Sequence, residues 1–200
     1  MDYWENSVQV TLSTAAALLT GLRAAADIAD DLGHEASAAQ WARAASRLAD
    51  GITAGFGRYG YHRLPYADSG DDAAVTFLGP PFADAGPAVV SAIMDTERSL
   101  WLPNGGMLPG SDWPGNRTTA WTAETAFFAL SDAETGHRQQ ASQLLTWFAT
   151  HTTRLGTLPE KVDARGQPVS AAPLAWTDAA VLLTLAAQAH RLPVVPIPGG

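Results

Sequence analysis

The chain has no cysteine among its 200 residues, which excludes disulfide bonds and thiolate metal sites. Charged residues make up only 16% of the sequence and the formal net charge is −8. This balance argues against a disordered chain and against nucleic acid as a partner, and it suits a neutral ligand. No run of about 18 uninterrupted apolar residues occurs, so we expect no membrane span.

Targeting and metal-binding patterns are missing as well. The N-terminus lacks a basic segment followed by an apolar one, so no secretory signal is visible, and the absence of cysteine agrees with this. On these grounds a cytoplasmic location is favoured. The five histidines show no spacing with acidic residues that is typical of a zinc site, and we expect neither a metal nor a cofactor.

Helical periodicity dominates what is present. Apolar residues make up 46% of the chain, enough for a sizeable core, and no strand pairs are recognisable. In the first helix apolar residues recur at helical spacing, and we expect one face to consist of Val10, Ala17, Leu18, Leu22, Ala25, Ala29 and Leu32. We expect one domain over residues 1–190 and a tail rich in proline and glycine over 191–200. The seven predicted helices span Val8–Leu32, Glu35–Phe56, Ala73–Leu78, Pro87–Leu100, Thr118–Leu130, Gly136–His151 and Ser170–Ala189.

The longer loops follow every second helix, at 57–69, 101–117 and 155–169, so we expect them at one end of the helix array. The 101–117 connection is unusually long, and such loops are commonly functional or disordered; its two tryptophans favour order. The aromatic segment 57–68 either closes the core or forms a wall that faces a sugar. The acidic run Asp68–Asp72 fits a helix N-cap.

Two glutamates, Glu5 and Glu160, lie next to a tryptophan or a proline and are candidates for an acid or a base. Pro159 disfavours helix at Glu160, and Gly166 with Pro168 favours a turn, so Glu160 is predicted in a loop between two helices. A carboxylate on such a loop can act as an acid or base, although a plain surface glutamate has the same pattern. Glu5 follows Trp4 just before the first long helix.

Three segments, in this order, resemble glycoside hydrolase family 15, the glucoamylase type. Tyr3-Trp4-Glu5 is similar to the family's Leu-Trp-Glu segment, which carries its general acid. Leu158-Pro-Glu-Lys161 is similar to its Pro-Glu-Gln segment, which carries the general base. Pro173-Leu-Ala-Trp-Thr177 matches the Pro-Leu-x-Trp-Ser that follows the base.

The resemblance implies a fold and a set of residue roles. The family folds as an (α/α)6 toroid, and this chain corresponds to its helices six to twelve, so an all-α partial toroid of about seven helices is expected. Glu5 becomes the acid and Glu160 the base of an inverting, exo-acting α-glucosidase that releases glucose from α-glucans or oligosaccharides. The residues implied for substrate binding are Trp4, Asn6, Asp112, Trp113 and Trp176.

The sequence also departs from the family. Asn6 stands where many members have a second glutamate, and Leu108–Trp113 replaces a segment that contributes an arginine to the first sugar. The family's N-terminal helices are missing, which exposes apolar faces. The partner expected for those faces is the other half of the toroid, or a second copy of the chain. An inactive fragment that binds a glycan or another chain, and a trehalase-like enzyme on the same fold, stay open as alternatives.

Overall fold

The structure, a computed structural model, describes Trp4 and residues 7–197, and its contacts form two compact units. The N-terminal unit consists of Met1–Ile93 with Pro193–Gly200, and the C-terminal unit consists of Met94–Leu192. The division falls inside the third α-helix. The prediction of one domain over 1–190 with a separate tail stays a prediction.

The described residues are mostly helical, with seven helices of six or more residues. The predicted all-α class is therefore confirmed. The third predicted helix, Ala73–Leu78, is a 3-10 helix of six residues between the Asp72 cap and Gly79. The α-helices are α1 Leu12–Asp31, α2 Glu35–Gly55, α3 Pro87–Leu100, α4 Thr122–Thr135, α5 Arg138–Thr150 and α6 Ala175–Ala189.

Several helices begin later than predicted, and each has a local reason. Thr11 caps α1, since its side chain accepts from the Thr14 amide, so Val8 and Val10 precede the helix. Residues 118–121 form a turn and a short strand before α4. Helix α6 begins only after Pro173, in keeping with the bias of proline against preceding helix.

The core of the N-terminal unit lies between α1 and α2. The buried face of α1 includes Leu12, Ala16 and Leu19, whereas Leu18 and Leu32 are more than half exposed. The predicted apolar face of α1 is therefore wrong at Leu18 and Leu32, whereas Ala29, another of its predicted members, is buried. Apolar residues surround most of this helix, so periodicity does not single out one face. By length and composition alone, α1 could cross a membrane, a test that core helices of globular proteins also pass.

The C-terminal unit is built around α4, which packs against α5 and α6 and is buried along almost its whole length. It also contains a small antiparallel sheet in the order β1 Ala120–Trp121, β2 Lys161–Val162, β3 Pro168–Val169. The prediction of no strand pairs is wrong. Strands of two residues are too short to show the alternation by which a strand is recognised.

Residues 191–197 have no regular secondary structure, as expected for the proline-rich tail. In the N-terminal unit, the amide of Val195 donates to the carbonyl of Pro81 at 3.2 Å. The described part of the tail is therefore held by at least one backbone hydrogen bond.

Candidate functional site

Glu160 lies at the start of a tight hairpin formed by β2 and β3. Asp163 closes the turn, since its Oδ1 accepts from the amides of Arg165 and Gln167, each at 2.8 Å. Gly166 has φ +75°, a left-handed conformation that glycine adopts without steric cost. The loop position of Glu160 and the turn at Gly166 are confirmed, whereas the hairpin was not predicted.

Both oxygens of the Glu160 carboxylate have partners. The hydroxyl of Ser170, just after β3, donates to Oε2, and the ammonium of Lys161 lies 3.6 Å from Oε1. The side chain is 24% exposed, so the carboxylate is accessible and is not sealed inside a buried ion pair. Ser170 has φ +70°, a costly conformation for a residue other than glycine that persists only where its surroundings enforce it.

The backbone of Glu160 is fixed by residues from distant parts of the chain. Its amide donates to the carbonyl of Ala171 at 2.7 Å, and its carbonyl accepts from the amide of Thr122 at 3.0 Å. The buried Thr122 hydroxyl lies 2.6 Å from the carbonyl of Pro159 and 2.6 Å from the hydroxyl of Thr177. The segment around Glu160 is thus tied to the first turns of α4 and α6.

Lys161 connects Glu160 to a pair of tryptophans. Its ammonium lies 4.0 Å from the ring centroid of Trp121, a cation–π distance. The ring of Trp113 meets that of Trp121 edge to face, with centroids 4.9 Å apart. Glu160 and the predicted sugar platform Trp113 are therefore linked through Lys161 and Trp121. Neither of these two was predicted as a site residue: Lys161 follows Glu160 in sequence, but only the pairing of β1 with β2 brings Trp121 beside it.

The long 101–117 connection is ordered, as its tryptophans predicted. The amide of Trp121 donates to the carbonyl of Met107 at 2.9 Å, and the Met107 amide donates to the Thr125 hydroxyl at 3.0 Å. Trp147 Nε1 donates to the Asn104 carbonyl at 2.7 Å. A side chain at Gly106 would meet Trp147 at 2.7 Å, so only glycine fits there.

Two further predicted substrate residues lie in the same unit. Trp176, in the first turn of α6, is 45% exposed and packs edge-on against Phe127, with ring centroids 5.3 Å apart. Its exposure shows that it is not a fully buried core tryptophan. Asp112 is exposed in the 101–117 loop. For both residues a sugar contact stays a prediction.

The remaining predicted residues belong to the N-terminal unit. Trp4 is partly buried, and its Nε1 donates to Oδ2 of Asp72 at 3.2 Å. Asp72 Oδ1 accepts from the amide of Ala74 at 2.8 Å, so the expected N-cap is confirmed. The predicted acid Glu5 and its neighbour Asn6 lie outside the described residues.

The fold has close counterparts among solved structures. A wild-type glycosidase matches with a TM-score of 0.80 at 21% identity. A glutamate-to-alanine variant of a glycosidase in complex with glucose matches with a TM-score of 0.80 at 20% identity. A phenylalanine-to-tyrosine variant matches with 0.79 at 22%. No family model and no curated protein matches the chain.

These matches establish the fold. Each covers 94% of this chain and 54% of the solved structure, so this chain spans about half the length of the glycosidases that it resembles. The predicted partial helical toroid is confirmed to that extent. At this level of identity, activity does not follow from fold.

Proposed function

We propose that this chain carries the catalytic half of an inverting, exo-acting α-glucoside hydrolase of the glucoamylase type, family 15, which releases glucose from α-glucans or oligosaccharides. Glu5 is the general acid and Glu160 the general base. The observation that carries the proposal is the braced, accessible carboxylate of Glu160, on a fold otherwise found in glycosidases. Trp4, Asn6, Asp112, Trp113 and Trp176 bind the substrate.

The environment of Glu160 suits a base that activates water. A carboxylate is an acceptor, and its partners here are a hydroxyl donor from Ser170 and the ammonium of Lys161. The backbone ties through Thr122 and Ala171 keep the carboxylate from drifting, and a small displacement of a catalytic group costs large factors in rate. Trp113 and Trp121 supply aromatic surface beside it, on which a pyranose ring can stack.

The numbering of glutamates in two matching structures supports the pairing. One glycosidase structure carries glutamate 178 replaced by alanine and another carries glutamate 335 replaced by alanine, numbers that differ by 157. Glu5 and Glu160 are separated by 155 residues in this chain. The variant substituted at position 335 is the one in complex with glucose.

In the proposed reaction, Glu5 protonates the glycosidic oxygen as the bond to the anomeric carbon breaks. Glu160 takes a proton from a water that attacks this carbon from the opposite face. An inverting enzyme needs room for that water, so the two carboxyl groups are expected about 6.5–9.5 Å apart. The product is the sugar with inverted anomeric configuration.

The decisive experiment follows the released anomer and the role of Glu160. The chain is assayed by NMR for glucose release from maltose, isomaltose, trehalose and starch, both alone and with the missing half of the toroid supplied. We expect inversion, and we expect Glu160→Gln to lower kcat by at least about 10²-fold while glucose binding persists. Glu35→Gln, an exposed glutamate at the start of α2, is the matched control and should leave kcat unchanged.

Retention of configuration, or full turnover by Glu160→Gln, contradicts the assignment of Glu160 as base. Release of glucose from trehalose but from none of the other substrates identifies the trehalase-like alternative.

A second candidate function has its own observation. Apolar side chains stand exposed on α1, where Leu18 and Ile28 are 56% and 58% exposed, and on α6, where Leu182 is 67% exposed. Together with coverage of only 54% of the similar glycosidases, this favours a chain that works by binding the other half of the toroid or a second copy of itself. Activity only after the missing half is added supports this candidate. Monomeric behaviour with no response to that half argues against it.

A further inference from the structure

Lys161 is the only lysine of the chain, and the other 11 of its 12 lysine and arginine residues are arginines. Its ammonium lies 3.6 Å from Oε1 of Glu160 and 4.0 Å from the ring centroid of Trp121. Both charged side chains are mostly shielded from water, since Lys161 is 27% exposed and Glu160 is 24% exposed. Salt therefore screens their attraction less than that of a fully exposed pair. One cation thus contacts both a carboxylate and an aromatic ring.

The contact between Lys161 and Glu160 does not follow from their being neighbours in sequence. Consecutive side chains of a strand point to opposite faces of the sheet. Strand β2 begins at Lys161, and the chain bends at Glu160, just before the strand. The Glu160 amide donates to the carbonyl of Ala171 at 2.7 Å, which holds the backbone at this bend. The short distance between the two charged groups depends on this local geometry.

The contact between Lys161 and Trp121 follows from strand pairing. The two residues lie directly opposite each other in β2 and β1, and opposite residues of an antiparallel pair share a face of the sheet. The backbone is held on both sides. The Trp121 amide donates to the carbonyl of Met107 at 2.9 Å, and Asn104 Nδ2 donates to the carbonyl of Asp163 at 2.9 Å. With the backbone fixed, the Lys161 side chain connects the ring to the carboxylate.

We infer that Lys161 is a positioning residue, whose ammonium holds the Glu160 carboxylate and the Trp121 ring at one spacing. The ring of Trp113 packs against that of Trp121 and is held with it. The inference rests on the proposed function, in which Glu160 is the base. Each carboxylate oxygen has two lone pairs, so the contacts with Lys161 and Ser170 leave Glu160 able to accept from water. Lys161 acts through Glu160 and takes no part in the bond changes.

The kinetic test compares two replacements of Lys161 in the assay of the proposed function. Lys161→Met keeps a long apolar stem and removes the charge, whereas Lys161→Arg keeps a cation that stacks on aromatic rings. Trp121→Leu removes the ring, and its combination with Lys161→Met completes a double-mutant cycle. Arg165→Met is the matched control, because it removes an exposed cation from the same hairpin.

We expect Lys161→Met to lower kcat about tenfold or more with a smaller change in KM, since displacement of a catalytic group costs large factors in rate. Lys161→Arg should stay within about threefold of the wild type, and Arg165→Met should match the wild type. The double variant should lose less than the product of the two single losses, because both remove the same contact.

Three kinetic results overturn the inference. The first is an equal loss of kcat in Lys161→Met and in either Lys161→Arg or Arg165→Met. The second is a rise in KM alone in Lys161→Met. The third is a double variant whose loss equals the product of the single losses.

An arm without turnover separates this inference from the proposed function. Protein grown with ¹³C-labelled lysine gives a single set of lysine resonances, since Lys161 is the only lysine. We expect the ε-CH2 protons to lie upfield of their position in the urea-unfolded protein, because the Trp121 ring shields protons above its face. The upfield shift should shrink in Glu160→Gln, which removes the anion, and persist in Arg165→Met.

An ε-CH2 resonance at its unfolded position, or one that Glu160→Gln leaves unmoved, overturns the inference even if the wild type is active. A resonance that moves as expected in a protein that hydrolyses no glucoside, alone or with the missing half of the toroid, has a different meaning. It defeats the proposed function and leaves Lys161 as a structural link between Glu160 and Trp121.

Discussion

Helices α1 and α4 have similar compositions but differ in burial. Both consist mainly of alanine, threonine and large apolar residues. Helix α4 is buried on all sides by α5, α6 and the segment before it, whereas α1 packs on α2 and leaves Leu18 and Ile28 in solvent. A helix of this composition can therefore be buried on all sides, or it can be buried on one side and expose apolar residues on the other. Its neighbours, rather than its own sequence, decide which.

The largest difference between the two helices should appear when one large side chain is truncated in each. Phe128 in α4 is fully buried, so Phe128→Ala leaves a cavity and should lower the free energy of unfolding by about 3–5 kcal/mol. Leu18→Ala in α1 removes mostly exposed surface and should cost less than about 0.5 kcal/mol. Urea unfolding followed by circular dichroism measures both. Equal losses would show that the exposed face of α1 is covered in solution.

The pH dependence of stability should also distinguish the two helices, because a carboxyl group, that of Asp132, is buried near the end of α4. Burial, and next the neighbouring Glu97, raise the pKa of Asp132 to about 8, and burial raises the pKa of Glu97 to about 7. In the unfolded chain both groups titrate near pH 4. The folded state therefore holds extra protons between about pH 4 and pH 8. The stability that they contribute is complete below this range and is lost as pH rises through 7 to 8.

The corresponding variant is Asp132→Asn, which cannot ionise. We expect the free energy of unfolding of the wild type to fall by on the order of 1–3 kcal/mol between pH 5 and pH 9, and that of Asp132→Asn to fall by less than half as much. Asp31→Asn, an exposed acid at the end of α1, should keep the wild-type profile. A wild-type stability that is flat across this range would contradict the burial of the pair.

The smallest expected effect concerns the exposed face itself. Leu18→Gln in α1 and Leu182→Gln in α6 replace exposed leucines and should change the free energy of unfolding by less than about 0.5 kcal/mol. They should nevertheless reduce binding of a hydrophobic dye and any self-association seen by light scattering. Wild-type dye binding in both variants would show that neither face is available to a partner.

The sequence predicted those helix boundaries that neighbouring residues determine. Pro87 opens α3 at its predicted position, and α2 matches its predicted bounds to one residue, since each is delimited by turn residues or proline. The strands and the buried face of α1 were missed because both depend on partners distant in sequence. A two-residue strand exists only through its pairing, and an apolar helix does not reveal which of its sides is covered.

The features of the candidate site also differ in whether local sequence or distant pairing determines them. The loop position of Glu160 and the turn at Gly166 were predictable from proline and glycine. Lys161 follows Glu160 in sequence, whereas Ser170 and Trp121 became recognisable as its neighbours only once β2 paired with β1 and β3. An Asp-x-x-Gly turn at Asp163–Gly166, flanked by Val162 and Val169, was the available signal for that hairpin.

The Thr122 hydroxyl contacts Pro159, which is 37 residues away in sequence, and Thr177, which is 55 residues away. Its consequence concerns motion. Because the backbone beside Glu160 is fixed to the starts of α4 and α6, we expect any movement within this unit to involve segments other than the one that carries this carboxylate.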